Sequence, residues 1–305
     1  MVWHNMQPIR EISERAMELL QGAVDLHVHP GPSPFPRRLT VREAALRAAE
    51  LGFRAIVVKS HHHSTVSDVL VAASCPAGLP VAVLGGVALN NQIGGLNPYA
   101  VELALKLGGR VVWFPTISAA KHIRVHTRFK FPRSAVQLRP AEPVQVIGSD
   151  GRLVAEAYEV LTLIRDHDAV LATGHLDAPE VDILIREAVA LGVRRILVNH
   201  PNFVVEAEPT LCRRWAELGA YIEHSLCMYD DRSSFYHWPL NMLVKYIRAV
   251  GPERTVLGSD LGQADNPLPT ESYLRIVAGL LDLGIPAATV QRLVAQNPVA
   301  LLGLE

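Results

Sequence analysis

The chain has 305 residues, of which 49% are hydrophobic and 19% are charged, with 29 Lys and Arg against 30 Asp and Glu. This composition provides enough apolar material for one large core and predicts a single domain over residues 1–305. The formal charge of -1 argues against a nucleic-acid or membrane partner, and no apolar stretch approaches the roughly 20 residues that a membrane span requires. Because residues 1–5 also lack a signal-peptide pattern, we expect a cytoplasmic protein.

After an N-terminal helix within residues 1–22, strand-like runs alternate with helical stretches to the end of the chain. This alternation predicts βα units and a parallel sheet. The predicted strands cover residues 23–28, 55–59, 81–84, 110–114, 169–173, 195–199, 220–223 and 254–258. Eight strands of this kind predict an α/β fold, specifically a (β/α)8 TIM barrel.

Two connections are longer than ordinary βα loops. Residues 117–152 follow the fourth strand and include a predicted hairpin at 147–151, and residues 225–239 follow the seventh strand. Since both come after strands, we expect them to lie over the C-terminal mouth of the barrel, where long loops determine specificity.

Groups able to bind a metal stand at the ends of four strands. His27 and His29 belong to the first strand, His175 and His200 follow the fifth and sixth, and Asp260 follows the eighth. Side chains alternate along a strand, so the first two imidazoles point to the same face. Each residue alone has a plainer explanation, such as an ordinary strand-end histidine or an Asp that caps a helix. Together they predict a metal site at one mouth of a barrel.

Imidazole ligands favour a transition metal over Mg²⁺ or Ca²⁺. We therefore expect one or two divalent ions. Zn²⁺ is the first choice, and Ni, Fe, Mn and Co are alternatives.

The ordered set of Asp25-Leu26-His27-Val28-His29, His175, His200 and Asp260 resembles the amidohydrolase superfamily of metal-dependent hydrolases. The resemblance implies a distorted (β/α)8 barrel, one or two divalent metals and hydrolysis by metal-bound hydroxide. Binuclear relatives commonly carry a carboxylated lysine on strand 4, but here that strand ends without one, at residues 112–116. The chain therefore resembles an uncharacterised branch of the superfamily.

Lys59 closes an apolar strand and is the alternative candidate for a bridging carbamate. It could instead bind substrate uncarboxylated, or pair with Asp25 or Glu223. Glu223 is also a candidate to orient a ligand histidine. Residues 61–63 are consecutive histidines that cannot all point inward, and His61 is the one expected to reach the site.

Residues 121–133 form a basic run without an acid. A solvated surface is the plain explanation. The functional one is recognition of a carboxylate or phosphate on an anionic substrate. The candidate substrate-binding residues are thus His61, His122, Arg124, Arg128 and Glu223.

The predicted function is metal-dependent hydrolysis of a small molecule at a carbonyl centre (amide, lactone or ester) or a phosphoryl centre. The predicted metal ligands are His27, His29, Lys59, His175, His200 and Asp260. Asp260 and His200 are the predicted catalytic residues, with Asp260 moving the proton from nucleophile to leaving group. Alternatives are a mononuclear decarboxylase, a phosphoesterase with three metals, and a barrel that binds metal or ligand without turnover. A homo-oligomer is left open.

Overall fold

The computed structural model describes residues 9–125 and 134–304, with side chains from residue 14 onward. Its strands are short, and each of them runs parallel to the strands with which it pairs. They are Val24–Val28 (β1), Ala55–Val58 (β2), Ala82–Leu84 (β3), Gly86–Ala88 (β4), Val111–Trp113 (β5), Val170–Ala172 (β6), Arg195–Asn199 (β7), Tyr221–Ser225 (β8) and Thr255–Gly258 (β9). The pairing follows chain order within two groups, β1 to β3 and β4 to β9.

The break between the two groups lies at Gly85. β3 pairs with β2, whereas β4 pairs with β5, so the third predicted strand continues past its expected end at residue 84 as β4. A Cβ at Gly85 would lie 2.9 Å from the backbone N and Cα of Val66. A glycine is needed here because the helix that precedes β3, which begins at Val66, starts against this point of the strand. The sequence prediction missed β4; if β3 and β4 are counted as one interrupted strand, the predicted number of eight holds.

The first and last strands lie side by side at their C-terminal ends. The His29 N–H donates to the Leu261 carbonyl at 2.8 Å, and the Asp260 N–H donates to the His27 carbonyl at 2.7 Å. These bonds extend the ladder from β9 to β1 and bring the ends of two strands far apart in sequence to one rim.

Helices follow most strands and cover the outside of the sheet. They are Ile9–Leu19 (α1), Val41–Glu50 (α2), Val66–Ala73 (α3), Pro98–Lys106 (α4), Ala120–Val125 (α5), Ala155–Asp166 (α6), Ala178–Ala190 (α7), Pro209–Glu217 (α8), Leu240–Val250 (α9), Pro269–Asp282 (α10), Ala287–Gln291 (α11) and Asn297–Leu302 (α12). α11 and α12 are joined by a π-helical turn, Arg292–Gln296. Among the described residues, no helix has the length and apolar character needed to cross a bilayer.

The interior of the sheet is filled with apolar side chains from alternate strand positions, including Leu26, Val57 and Trp113. Leu301 and Leu302 of α12 pack against this layer. Arg110 and Arg195, at the starts of β5 and β7, donate to carbonyls of α12. The C-terminal helix therefore closes the end where strands begin, and the opposite end, the C-terminal mouth, is left for a site.

The described parts of the long connection 117–152 lie over this mouth. The Ala135 N–H donates to the Pro34 carbonyl at 2.7 Å, and the Glu142 N–H donates to Asn91 Oδ1 at 2.9 Å. The turn predicted at 147–151 is present, with the Gly148 N–H donating to the Arg152 carbonyl at 2.7 Å. The connection thus contacts the loops that follow β1 and β4.

Candidate metal centre

Five histidine rings form a closed circle at the C-terminal mouth. Successive centroids lie 5.1 Å apart from His27 to His29, 4.9 Å from His29 to His61, and 6.1 Å from His61 to His175. The circle closes through His200, whose centroid is 4.8 Å from that of His175 and 5.8 Å from that of His27. The C-terminal end of β1 and the chain segments after β1, β2, β6 and β7 supply these rings, as parallel strands ending at one rim require.

Asp260 completes a three-residue cluster with the two histidines of the first strand. Its Oδ1 lies 3.3 Å from His27 Nε2 and 3.0 Å from His29 Nε2. The candidate ligand atoms of the three residues all lie within 4.8 Å of one another. This is the spacing of atoms that share one ion.

The other ring nitrogens determine where the imidazole hydrogens lie. His29 Nδ1 is 3.0 Å from the carbonyl oxygen of Lys59, and a carbonyl can only accept, so this nitrogen carries the hydrogen. His27 Nδ1 lies 2.7 Å from Glu223 Oε1 and likewise donates. Burial lowers the pKa of His29 to about 3, so the ring is neutral and its Nε2 presents a lone pair.

A lone pair on His29 Nε2 therefore faces a carboxylate oxygen of Asp260 at 3.0 Å. Two acceptors repel at this distance unless a cation lies between them. Two imidazoles and a carboxylate form a donor set that suits a divalent transition metal, so the residues present fit such an ion.

Glu223 supports the cluster from below. Its side chain is 0% exposed, and its second oxygen accepts from Asn199 Nδ2, so both carboxylate oxygens have protein partners. A Cβ at Gly258 would lie 2.5 Å from Glu223 Oε1 and 2.9 Å from His27 Cβ. These contacts favour the predicted orienting role of Glu223 over contact with substrate.

The Lys59 side chain meets the circle at His27. Its Nζ is 3.0 Å from His27 Nε2 and 5.6 Å from the ring centroid of Trp113. Burial lowers the pKa of Lys59 to about 8. Pairing with Asp25, one of the sequence-based alternatives, is not what the structure has, since Asp25 Oδ1 accepts from the backbone N–H groups of His27 and Ser259.

Asp260 and His200 have left-handed backbone conformations, with φ of 55° and 25°. Asp260 is the more accessible of the two, at 17% of its side-chain surface against 2% for His200. Burial raises the pKa of Asp260, but His27 and His29 outweigh this effect and hold it well below the usual carboxyl range. The carboxylate is thus ionised and open to the mouth.

His200 and His175 are the remaining predicted ligands in the circle. His200 Nδ1 is 3.1 Å from Ser225 Oγ and 3.8 Å from Asp260 Oδ2. Its Nε2 is buried and has no hydrogen-bond partner among the described residues. His175 Nδ1 is 2.8 Å from His122 Nδ1, and the two rings stack at 4.8 Å. His122, predicted as a substrate contact, therefore touches a predicted metal ligand.

Asn90 is a site residue that the sequence analysis missed. Its Nδ2 donates to the His61 carbonyl at 2.9 Å and to Thr116 Oγ1 at 2.7 Å, and its Oδ1 accepts from the Thr116 N–H at 2.9 Å. Thr116 Oγ1 in turn lies 2.8 Å from His61 Nδ1. Asn90 follows β4, so the criterion used for the other strand ends would have found it had β4 been recognised.

The two predicted arginines have different outcomes. Arg124 has a side chain that is 59% exposed and lies 3.5 Å from Asp177, which favours a surface position. Arg128 lies outside the described residues, so its predicted role stays a prediction. Cys75 is exposed, whereas Cys212 and Cys227 are buried; all three are free thiols.

The fold is shared with solved structures of an amidohydrolase and a probable dipeptidase, which confirms the predicted fold. An amidohydrolase from Pseudomonas aeruginosa superposes with a TM-score of 0.62 at 11% identity, over 95% of this chain and 98% of that one. The probable dipeptidase PvdM from Pseudomonas aeruginosa gives 0.63 at 12% identity, over 97% and 98%. The 2,6-dihydroxybenzoate decarboxylase from Rhizobium gives 0.54 at 12% identity, over 93% and 99%.

Within that fold, residues 22–223 match the model of DUF6282, a family of unknown function. The chain belongs to this family. A comparison with curated proteins found no match.

Proposed function

We propose that the protein is a metal-dependent hydrolase that acts on a carbonyl centre (an amide, lactone or ester) or a phosphoryl centre of a small molecule. The observation that carries the proposal is the approach of the Nε2 atoms of His27 and His29 to one oxygen of Asp260, at 3.3 and 3.0 Å. Zn²⁺ is the first choice for this donor set.

His27, His29 and Asp260 would hold the first ion, and His175 and His200 would hold a second. Lys59 lies beside the first group, with its Nζ 3.0 Å from His27 Nε2. Carboxylation would add CO₂ to its neutral amine, forming an N–C bond and releasing one proton. The product would replace a cationic donor by an anionic group able to act as a metal ligand.

A divalent ion supplies Lewis acidity, which polarises a carbonyl or phosphoryl oxygen and lowers the pKa of water from 15.7 to around 7. The protein contributes the proton transfer. With Oδ1 of Asp260 directed at the two histidines, Oδ2 remains to accept a proton from the attacking water and deliver it to the leaving group. His200 lies 3.8 Å from that oxygen and can orient it or the substrate.

The supporting residues keep this arrangement fixed. Glu223 holds the His27 tautomer, the Lys59 carbonyl holds that of His29, and the apolar barrel interior below excludes water. Because these groups are buried and already paired, little reorganisation is required when a substrate binds.

A decarboxylase with a single metal is the second candidate. Among the described residues, the three-residue grouping of ligand atoms within 4.8 Å contains only His27, His29 and Asp260. A protein of the same fold, the Rhizobium enzyme, is a decarboxylase by name. In this case His175 and His200 would contact substrate instead of a second ion.

The test combines metal analysis with activity. Purified protein loaded with Zn²⁺, Mn²⁺ or Ni²⁺ is analysed for bound ions and assayed on a panel of amides, lactones, esters, phosphoesters and aromatic carboxylic acids. We expect about two ions per chain, hydrolysis of at least one class, and loss of both in a His29→Ala variant. His167→Ala, at the end of α6, is the matched histidine control and should retain metal and activity.

Other outcomes decide among the alternatives. One ion per chain with CO₂ release would replace the hydrolase by the decarboxylase. Full metal loading without turnover on any substrate would refute both enzymes in favour of a binding barrel. Anomalous and carbamate-shaped density at Lys59 would support carboxylation, and a bare ammonium beside a single ion would eliminate it.

A further inference from the structure

A second group of polar side chains lies at the mouth next to the metal centre and is not used by the proposed chemistry. It consists of Arg37, His62 and Phe35, which we call the outer subsite. The Arg37 guanidinium lies 5.8 Å from the centroid of the Phe35 ring, and the His62 ring lies 5.2 Å from the same ring. The His62 ring is 6.2 Å from that of His61, which belongs to the histidine circle.

The loop that carries Arg37 is held at several points. The Gly31 N–H donates to the Leu39 carbonyl at 2.7 Å, which closes the loop between β1 and α2. The Arg38 N–H donates to the Gly262 carbonyl at 2.8 Å, and the Ala264 N–H donates to the Pro36 carbonyl at 3.1 Å. The backbone around Arg37 is therefore fixed against the segment that follows β9, which also carries Asp260.

Arg37 differs from its neighbour Arg38 in having no ion-pair partner in the part of the chain that the structure describes. Its Nε is buried and makes no hydrogen bond there. Arg38, in contrast, donates to the Asn266 carbonyl at 2.8 Å and lies 3.9 Å from Glu271. Burial lowers the pKa of Arg37 to about 10, so it remains a cation at neutral pH.

His62 shows the same pattern beside a fully paired neighbour. Both ring nitrogens of His62 are buried and lack a hydrogen-bond partner within the described ranges. The adjacent His63 bonds Ser60 Oγ at 3.0 Å and Asp68 Oδ2 at 2.7 Å. Three buried nitrogen atoms of Arg37 and His62 thus lack a hydrogen-bond partner within the described ranges. A buried polar group without a partner costs free energy, and a charged one costs more.

We propose that the outer subsite binds a carboxylate of the substrate, at a point remote from the bond that reacts. A guanidinium presents parallel N–H donors that match a carboxylate, and His62 can donate one further hydrogen bond. The single positive charge of Arg37 balances one negative charge, which favours a carboxylate over a phosphate dianion. Phe35, between the two donors, provides an apolar surface for the substrate stem.

This inference rests on the proposed function, since it places the reacting group at the His27, His29 and Asp260 cluster. It assigns the substrate class as small molecules with a carboxylate several bonds away from the scissile group. The inference also assigns to Arg37 the anion recognition that the sequence predicted for Arg124, because Arg124 pairs with Asp177.

Binding of linear dicarboxylates to the Zn²⁺-loaded protein tests the subsite without requiring turnover. Each member of the series from malonate to adipate is titrated by calorimetry beside its half-amide, which keeps one carboxylate for the ion and presents a neutral end to Arg37. We expect at least one dicarboxylate to bind about 10- to 100-fold more tightly than its half-amide, the range for charged hydrogen bonds.

Variants identify the residue responsible. Arg37→Gln should abolish the preference for the dicarboxylate and leave half-amide affinity unchanged, and Arg37→Lys should restore part of it. Arg38→Gln, which removes the same charge from the same loop, should bind as the wild type does. Circular dichroism and zinc content establish that each variant is folded. If Arg37→Gln does not fold, His62→Gln provides a second variant, which is expected to weaken the preference for the dicarboxylate by a smaller factor.

Three results would overturn the inference. The first is that no dicarboxylate binds more tightly than its half-amide, and the second is equal loss for both ligands in Arg37→Gln. The third is tighter, Arg37-dependent binding of 4-phosphonobutyrate than of any dicarboxylate, which would assign a phosphate. Arg37-dependent binding without turnover on any substrate would refute the hydrolase and leave the subsite standing, so the two proposals fail separately.

Discussion

Replacing Glu223 by Gln tests whether a buried carboxylate sets the His27 tautomer. Both Glu223 oxygens accept, from His27 Nδ1 at 2.7 Å and from Asn199 Nδ2. Glutamine offers one acceptor, and its amide NH₂ must then face a donor. If His27 adapts by moving its hydrogen to Nε2, the lone pair directed at Asp260 is lost. Such supporting partners typically contribute 10- to 100-fold in metal affinity, or about 1.4–2.8 kcal/mol.

The measurement is Zn²⁺ affinity by competition with a chelating indicator, together with urea unfolding of the metal-free protein. We expect weaker Zn²⁺ binding by the factor above, and a loss of about 1–3 kcal/mol in the free energy of unfolding from the unsatisfied donor. Glu217→Gln is the matched control, because Glu217 is 61% exposed and pairs with Arg213 at the surface. Unchanged Zn²⁺ affinity in Glu223→Gln would refute the reasoning.

Three further changes probe other parts of the structure. Gly258→Ala should weaken Zn²⁺ binding at least as much as Glu223→Gln, because the added Cβ would lie 2.5 Å from Glu223 Oε1. Competition with a chelating indicator measures the Zn²⁺ affinity, and a wild-type value would contradict this close approach. Asp260→Asn should lower kcat by roughly 10²- to 10⁴-fold with metal bound, and full activity would remove Asp260 as the base. Burial raises the pKa of Asp230, but Arg275 outweighs this and holds it below the usual carboxyl range. Its stabilising contribution is therefore complete above that range and is lost as pH falls through the lowered pKa. Asp230→Asn should cost about 2 kcal/mol at pH 7, and the gap from wild type in urea unfolding should shrink below about pH 4; a gap independent of pH would contradict the ion pair.

Much of the site could be predicted because strand geometry is regular. A period of two places His27 and His29 on one face, and parallel strands deliver their C-terminal ends to one rim. These two rules were enough to bring His175 and His200 to the same place as Asp260, although long stretches of sequence separate them.

What the sequence did not predict depends on tertiary contacts. β4 was not predicted because Gly85 interrupts the strand where Val66 approaches. Asn90, which follows β4, was therefore not recognised as a strand-end residue. Arg37 lies in an irregular loop rich in proline, where no periodic pattern shows which side chains face inward. Its position depends on backbone bonds to residues after β9, which only the folded chain brings near.

The positive φ angles of Asp260 and His200 imply a compromise between thermostability and catalysis. Side chains other than glycine are disfavoured in that region of backbone space, and strained residues of this kind cost of order 1–3 kcal/mol each. A glycine at position 260 would relax the turn while removing the proposed base. Selection for heat resistance alone would therefore favour inactive descendants of this protein, and a laboratory evolution scheme would need to screen for turnover at every round.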